Sequence, residues 1–206
     1  NRQDSFNFHL TRLFGNLEWR VKPEVVVNMG AMAENNDFTG TDVTPRAAVN
    51  WHFSPGHTLR ASHSRATRTP TLYEQEADNR YRVPVPAPYD LIVRYAVGGL
   101  KPERIKSTEI GYVGKLARLD ADLRLFRDEL SDLISSDYYN PCNPTGTLPT
   151  LGGFVMPPDV PAGLTAPGVA CYGVSSLGSF NNGSAVIKGF EMQLQWRPGE
   201  RTRLVY

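Results

Sequence analysis

Residues 100–134 read LKPERIKSTEIGYVGKLARLDADLRLFRDELSDLI and contain two runs in which the character of the side chains alternates. Because successive side chains of a strand point to opposite faces, the second run has an apolar face and a charged face. The apolar face consists of Leu119, Ala121, Leu123 and Leu125. The opposite face consists of Asp120, Asp122, Arg124 and Phe126. The two runs predict an antiparallel hairpin with a tight turn near Ala117–Arg118.

The two faces of this hairpin need different surroundings. Charged side chains at every second position would be costly in a sandwich core, whereas they are well solvated if they line a wet lumen or meet solvent. The aliphatic face requires an apolar environment, which a β-sandwich interior and a lipid bilayer both supply. The hairpin alone therefore leaves both architectures open.

Composition narrows the class of protein. The chain has 206 residues and a net charge of +1, which gives no general electrostatic reason to bind nucleic acid. Its 18 glycines and 16 prolines favour a turn-rich β protein over a helical one. No window approaches the apolar length of a transmembrane helix, but the strands of a membrane barrel need only about 10 alternating residues each. The first residues, NRQDSF, resemble no signal peptide, so we expect a fragment or a processed form.

Cys142 and Cys171 are the only cysteines, and both lie in a stretch rich in glycine and proline. No histidine is close to either one in sequence, and structural zinc normally has four ligands, so we expect no metal site. A disulfide that closes a long loop in an oxidising compartment is the better interpretation. The motifs GxSxG and HExxH and a phosphate-binding glycine loop are also missing, and we predict that the protein is not an enzyme.

The connections between alternating segments follow an ordered pattern. Tight turns are predicted at Lys22-Pro23, Pro55-Gly56, Ala117-Arg118 and Pro198-Gly199. Longer loops are predicted at about 35–44, 66–106 and 135–184. In an up-and-down meander, all the tight turns then lie at one rim and all the loops at the other, which is typical of outer-membrane β-barrels. Soluble sandwiches have no reason to keep that asymmetry. We predict an all-β, antiparallel up-and-down transmembrane β-barrel section of about eight strands.

Four segments of the sequence support a more specific assignment. They are SPGHTLRASHSRATRTPTLYE (54–74), GGLKPERIKSTEIGYVG (98–114), LRLFRDELSDLI (123–134) and IKGFEMQLQW (187–196). In this order and spacing they resemble TonB-dependent outer-membrane receptors. His63 and Arg127 depart from the family pattern, since tyrosine is usual at both positions.

The resemblance implies a section of a barrel of about 22 strands whose lumen is closed by an N-terminal plug domain. Such receptors lie in the outer membrane of Gram-negative bacteria and import scarce nutrients, most often ferric siderophores, with energy passed through the TonB complex. We therefore interpret residues 1–206 as a partial receptor barrel, with the plug domain and the TonB box outside this chain. The expected partners are the TonB complex, outer-membrane lipid and an iron chelate, with no covalently bound cofactor.

The long loops contain the candidate ligand-binding residues. They are Tyr73, Tyr81, Arg82, Tyr89, Arg94, Tyr138 and Tyr139. Ferric siderophores are often anionic or aromatic, so guanidinium groups and tyrosine rings suit them through charge and stacking. The alternative is that these aromatic residues pack each loop against itself.

Two charged pairs bracket the first long loop. Arg68 and Glu74 lie near its start, and Lys101 and Glu103 lie near its end. They could form a charged rim that positions the loop over a ligand, but we interpret them as structural support for the base of the loop. Two other functions stay open at this point: a secreted all-β carbohydrate-binding or adhesin module, and a passive porin.

Overall fold

The computed structural model describes residues 7–83, 89–96, 98–139, 176–199 and 202–206. In these ranges the chain forms ten strands and one short helix. The elements are β1 (Leu10–Lys22), β2 (Val25–Asn36), β3 (Gly40–Ser54), β4 (His57–Arg68), α1 (Leu72–Glu76), β5 (Asp78–Val83), β6 (Tyr89–Tyr95), β7 (Glu103–Leu116), β8 (Leu119–Tyr139), β9 (Ser176–Gly199) and β10 (Thr202–Val205). Among the described residues, no helix is long enough and apolar enough to cross a bilayer.

The strands join one sheet in the order β1-β2-β3-β4-β7-β8-β9-β6-β5, and β10 pairs with β9. Consecutive strands form antiparallel hairpins from β1 to β4 and again between β7 and β8. One parallel contact joins β6 to β9 at Arg94 and Leu177. The antiparallel up-and-down section predicted from the sequence is confirmed.

The chain divides into two compact units. The first, called here the wall unit, comprises Asn1–Arg68, Arg104–Ser131 and Ser184–Tyr206. The second, called the loop unit, comprises Thr69–Glu103 and Asp132–Gly183. The wall unit contains eight strands or parts of strands, namely β1 to β4 and β7 to β10.

The hairpin formed by β7 and β8 has the predicted turn and the predicted faces. Leu116 pairs with Leu119, and the two residues between them, Ala117 and Arg118, form the turn. On the apolar face, Ile110 lies opposite Leu125, and their side chains are 58% and 62% exposed. A contiguous exposed surface of large apolar side chains marks a face that contacts lipid or another protein.

The wall unit has almost no interior of its own. The buried apolar side chains of the whole described chain are Ala77, Leu100, Ala121 and Phe180, and only Ala121 belongs to the wall unit. A β-sandwich would bury one face of every strand between its sheets. The wall strands instead leave large residues exposed, among them Phe190 at 74% and Met192 at 41%. This distribution favours a strand wall that meets lipid.

Two predicted connections differ in the structure. The predicted loop over 35–44 is a turn of three residues, because β2 continues to Asn36 and β3 begins at Gly40. The Asn36 Oδ1 accepts hydrogen bonds from the backbone N–H groups of Phe38 (3.0 Å) and Thr39 (2.8 Å), so the side chain builds the turn. At the other end of the chain, Pro198 and Gly199 are the last two residues of β9, so the strand includes the residues that were predicted as a turn.

The two long predicted loops contain more regular structure than their composition indicates. Strands β5 and β6 and the helix α1 all lie within the predicted loop over 66–106. Strand β8 continues to Tyr139, and β9 already begins at Ser176, so both extend into the predicted loop over 135–184. Alternation of apolar and polar side chains does not predict β5 and β6, because these two strands are stabilised by pairing with each other.

Candidate functional site

The loop unit contains a buried guanidinium group whose partners are neutral. Arg94, on β6, is 9% exposed. Its Nη2 donates to the Oγ of Ser179 (2.6 Å) and lies 3.3 Å from the Oγ of Ser136. Among the described residues no carboxylate forms an ion pair with Arg94, and its Nε has no hydrogen-bond partner. A buried cation is normally paired with an anion, so the positive charge of Arg94 is not neutralised by the described part of the chain.

Three strands bring these groups together. Arg94 of β6 pairs with Asn79 of β5 on one side and with Leu177 of β9 on the other. Strand β9 supplies Ser179, which is 1% exposed, and β8 supplies Ser136. The guanidinium is therefore positioned by the backbone pairing of β6 and by two hydroxyl groups, which fix its orientation without neutralising its charge.

Tyr73 covers one side of the guanidinium. The Arg94 Cζ lies 4.4 Å from the centre of the Tyr73 ring, a cation–π contact. Tyr73 belongs to α1, whose start is fixed by a capping box in which Thr71 and Glu74 exchange hydrogen bonds. Tyr73 is 55% exposed, so it offers aromatic surface beside the buried charge. An anionic, aromatic ligand could meet both groups at once.

The predicted loop-base residues occupy separate positions. Arg68 is the last residue of β4, and Glu74 belongs to the capping box of α1. The Glu103 carboxylate accepts a hydrogen bond from the Ile134 N–H at 2.7 Å. Lys101 takes part through its backbone, which bonds to the side chain of Asn181. Glu74, Lys101 and Glu103 thus each make a local structural contact within the loop unit.

Asn181 is a structural residue that the sequence did not reveal. Its Oδ1 accepts from the Lys101 N–H (2.7 Å), and its Nδ2 donates to the carbonyl groups of Lys101 (2.9 Å) and Asp132 (2.7 Å). Asp132 has a positive φ of 55°, which a non-glycine residue adopts only when its surroundings hold it there. The Asn181 amide therefore joins the segment before β7 to an irregular position within β8.

We expect Asn181→Ala to loosen the base of the loop unit, because it leaves three backbone groups without their partner. The predicted cost is about 1–3 kcal/mol for local opening. Hydrogen exchange at the Lys101 amide measures it, and protection there should fall by about tenfold or more, whereas an amide in the β2–β3 hairpin should keep its protection. Unchanged protection at Lys101 would contradict the role assigned to Asn181.

The remaining predicted ligand residues cannot be placed at this site from their side chains. Tyr81 and Arg82 lie on β5, Tyr89 lies on β6, and Tyr138 and Tyr139 lie on β8, but the structure describes only the backbone at these positions. Cys142 and Cys171 lie outside the described residues, so the disulfide stays a prediction. The described part of the chain contains no group of three potential metal ligands.

The charged face of the wall unit is connected by ion pairs between strands. Arg60 pairs with Asp122 (2.5 Å), and Arg124 pairs with Glu109 (3.3 Å) and Glu191 (2.9 Å). Asp120, on the charged face predicted from the sequence, pairs with Arg197 at 3.0 Å. Charges that neutralise one another across β4, β7, β8 and β9 suit the inner wall of a wet lumen.

Comparison with known proteins identifies the family. A family model described as the β-barrel of TonB-dependent receptor-like proteins matches residues 1–206, which is the whole chain. The chain belongs to the TonB-dependent receptors. The family predicted from the four sequence segments is thereby confirmed, and the sandwich module is not favoured. The exposed apolar face of this receptor barrel is its lipid side, and the ion-paired face is its lumen side.

Solved structures show the same fold at low sequence identity. The siderophore receptor PirA from Pseudomonas aeruginosa has a TM-score of 0.67 and 17% identity, over 96% of this chain and 33% of that chain. A mutant of the ferric enterobactin receptor PfeA from Pseudomonas aeruginosa, in complex with enterobactin, has a TM-score of 0.68 and 19% identity, over 96% of this chain and 26% of that chain. The FrpB iron transporter from Neisseria meningitidis has a TM-score of 0.57 and 17% identity, over 93% of this chain and 24% of that chain.

The present chain therefore spans about a third or less of the length of these receptors. Among curated protein sequences, none matches it significantly.

Proposed function

We propose that this receptor imports an anionic ferric siderophore across the outer membrane of a Gram-negative bacterium, with energy supplied through the TonB complex. The observation that carries the proposal is the buried Arg94 guanidinium, whose hydrogen-bond partners among the described residues are the Ser136 and Ser179 hydroxyl groups and which lies against the ring of the exposed Tyr73. The family and the structural similarity to PirA and PfeA support the same class of ligand.

The chemistry of the ligand follows from these two groups. A ferric chelate with several catecholate or carboxylate arms has a net negative charge. Its binding to the receptor forms and breaks no covalent bond. Arg94 would supply a fixed positive charge at low solvent exposure, where the effective dielectric is lower than in water. Tyr73 would stack on an aromatic arm of the chelate. Binding by the loops and release through the barrel need no catalytic residue and no covalently bound cofactor.

Uptake of radioactive iron by the parent organism tests the proposal. Cells with and without the full-length receptor are supplied with one anionic and one neutral ferric chelate. We expect uptake of the anionic chelate to depend on the receptor and on an active TonB complex. Receptor-independent uptake of every chelate would contradict the proposal.

The contribution of Tyr73 can be separated from that of its hydroxyl group. Tyr73→Ala removes the ring, and we expect the affinity for an aromatic ferric chelate to fall by about threefold to tenfold, corresponding to roughly 0.5–1.5 kcal/mol for an aromatic pair. Tyr73→Phe keeps the ring and should bind within about twofold of the wild type. Quenching of intrinsic fluorescence by the iron chelate measures both affinities. Equal losses in the two variants would exclude a stacking role.

A further inference from the structure

The helix α1, which carries Tyr73, is too short to be stable by itself. It has five residues, Leu72–Glu76, whereas isolated helices shorter than about 12–15 residues are marginal in water. The capping box fixes only its start. Contacts made by later residues must hold the rest of the helix in place, and Gln75 is the one buried residue of α1.

The Gln75 side chain connects α1 to the segment between β6 and β7. Its Oε1 accepts a hydrogen bond from the Leu100 N–H at 3.1 Å. Gln75 is 7% exposed and Leu100 is 6% exposed, so water has little access to this hydrogen bond. Removal of the amide oxygen would leave a buried N–H group without its acceptor, which is a costly arrangement.

The backbone of the segment between β6 and β7 also lies against α1. Gly98 and Gly99 have φ values of 75° and 65°, a conformation that glycine adopts without strain. A Cβ atom added at Gly98 would lie 3.8 Å from the carbonyl oxygen of Gln75, so the two backbones are close. Directly after α1, the Ala77 carbonyl accepts from the Ala96 N–H at 2.6 Å. Two hydrogen bonds therefore hold the end of α1 against this segment.

Gln75 and Tyr73 lie on opposite sides of α1. Successive helical residues are rotated by about 100°, so residues two positions apart differ by about 200°. Burial of Gln75 therefore turns Tyr73 outward, where the Arg94 Cζ lies 4.4 Å from the centre of its ring. At the far end of the ring, the Asn79 Nδ2 lies 3.4 Å from the Tyr73 hydroxyl, and Asn79 is the pairing partner of Arg94.

We propose that Gln75 is a positioning residue that holds the Tyr73 ring over Arg94 before a ligand arrives. Without the hydrogen bond to Leu100, α1 loses a contact that fixes its rotation, and the ring adopts other orientations. Ligand binding then includes the entropic cost of ordering the ring, which a preorganised site avoids. The effect on ligand affinity rests on the proposed function, whereas the position of the ring does not.

The first test needs no ligand. The full-length receptor carries 3-fluorotyrosine at position 73 and is observed by fluorine NMR in nanodiscs. We expect one narrow resonance in the wild type, which moves in Arg94→Gln because the cation beside the ring is removed. Gln75→Met keeps a side chain of similar length without the acceptor, and it should broaden or split the resonance. The matched control Gln193→Met makes the same chemical change at an exposed position of β9 and should leave the resonance unchanged.

The second test determines whether Gln75 acts through Tyr73. The dissociation constants of a trianionic ferric tris-catecholate are measured by fluorescence quenching for Gln75→Met, Tyr73→Ala and the double variant. We expect Gln75→Met to lower the affinity by about threefold or more, up to the loss caused by Tyr73→Ala. In the Tyr73→Ala background the same substitution should have almost no effect, since no ring is left to position. A general loosening of the loop unit would lower the affinity in both backgrounds.

The outcomes separate this proposal from the proposed function. An identical resonance in the wild type and Gln75→Met would overturn the positioning role, and so would equal losses of affinity in the two backgrounds. Wild-type affinity of Gln75→Met where Tyr73→Ala binds weakly would overturn it as well. A changed resonance, with wild-type affinity in both single variants, would instead contradict the ligand role of Tyr73 and leave the positioning of its ring intact. If Gln75→Met does not fold, as judged by heat-modifiable gel migration, Gln75→Asn, whose amide is one methylene group shorter, replaces it in both tests.

Discussion

Replacing Arg94 by glutamine in the full-length receptor is expected to raise the dissociation constant for an anionic ferric chelate by about tenfold or more. Hydrogen bonds to charged groups contribute roughly 1.5–3 kcal/mol, and each 1.4 kcal/mol corresponds to a factor of about 10. Glutamine keeps a polar side chain that can still reach a serine hydroxyl, but it removes the charge. Titration of the purified receptor with the iron chelate, followed by fluorescence quenching, measures the change.

Two control variants separate the charge of Arg94 from its structural contacts. Ser179→Ala removes the 2.6 Å hydrogen bond to Arg94 and leaves the charge in place, so we expect an affinity within about fivefold of the wild type. Arg20→Gln removes an exposed cation on β1 and should change nothing measurable. If Arg94→Gln binds like the wild type, Arg94 is not a ligand residue. If Ser179→Ala loses as much affinity as Arg94→Gln, the role of Arg94 is structural.

Met192→Arg is expected to destabilise the receptor by about 2–4 kcal/mol, the usual cost of an arginine near the bilayer midplane on the lipid side of a barrel. Met192 lies on the lipid side of β9, and its side chain is 41% exposed. Because a bilayer has no water to solvate the guanidinium, the new charge raises the free energy of the folded state. Unfolding by denaturant in lipid vesicles measures the difference in free energy.

The neighbouring residue gives a matched control. Gln193 is also exposed, has an unbranched side chain of similar length, and lies on the opposite, lumen side of β9. Gln193→Arg should therefore cost less than about 1 kcal/mol, since its charge would meet water and acidic side chains. Equal destabilisation by the two variants would show that the two faces of β9 do not differ in environment, and the transmembrane orientation of the wall unit would be wrong.

The wall unit was predictable because its strands follow a single local rule. Leu123 and Leu125 alternate with Asp122 and Arg124, and this alternation fixes the faces of β8 whichever strands lie beside it. Turns with proline or glycine were predictable for the same local reason, as at Pro55 and Gly56, where Gly56 has a φ of 78°. The β2–β3 turn was not found because its determinant is the Asn36 side chain, whose Oδ1 accepts hydrogen bonds from the backbone of Phe38 and Thr39, in a segment whose polar composition is also typical of loops.

The candidate site was predictable in part. Arg94 and Tyr73 were selected because their side chains suit an anionic, aromatic chelate, and the structure brings these two together at 4.4 Å. Ser136 and Ser179 were missed because a serine in a segment rich in serine and glycine gives no signal of its own. Their role depends on the pairing of β6 with β9, which joins residues 83 positions apart in the sequence. Contacts of this kind follow from the tertiary fold and not from local pattern.

The most direct test of Arg94 as a ligand for an anionic chelate compares two affinities in two receptors. The dissociation constants of one trianionic ferric tris-catecholate and one neutral ferric chelate are measured for the wild-type receptor and for Arg94→Gln. We expect the wild type to prefer the anionic chelate, and Arg94→Gln to lower this preference by about tenfold while its affinity for the neutral chelate changes little. An equal preference in the two receptors, or a wild type that binds both chelates equally, would contradict this role of Arg94.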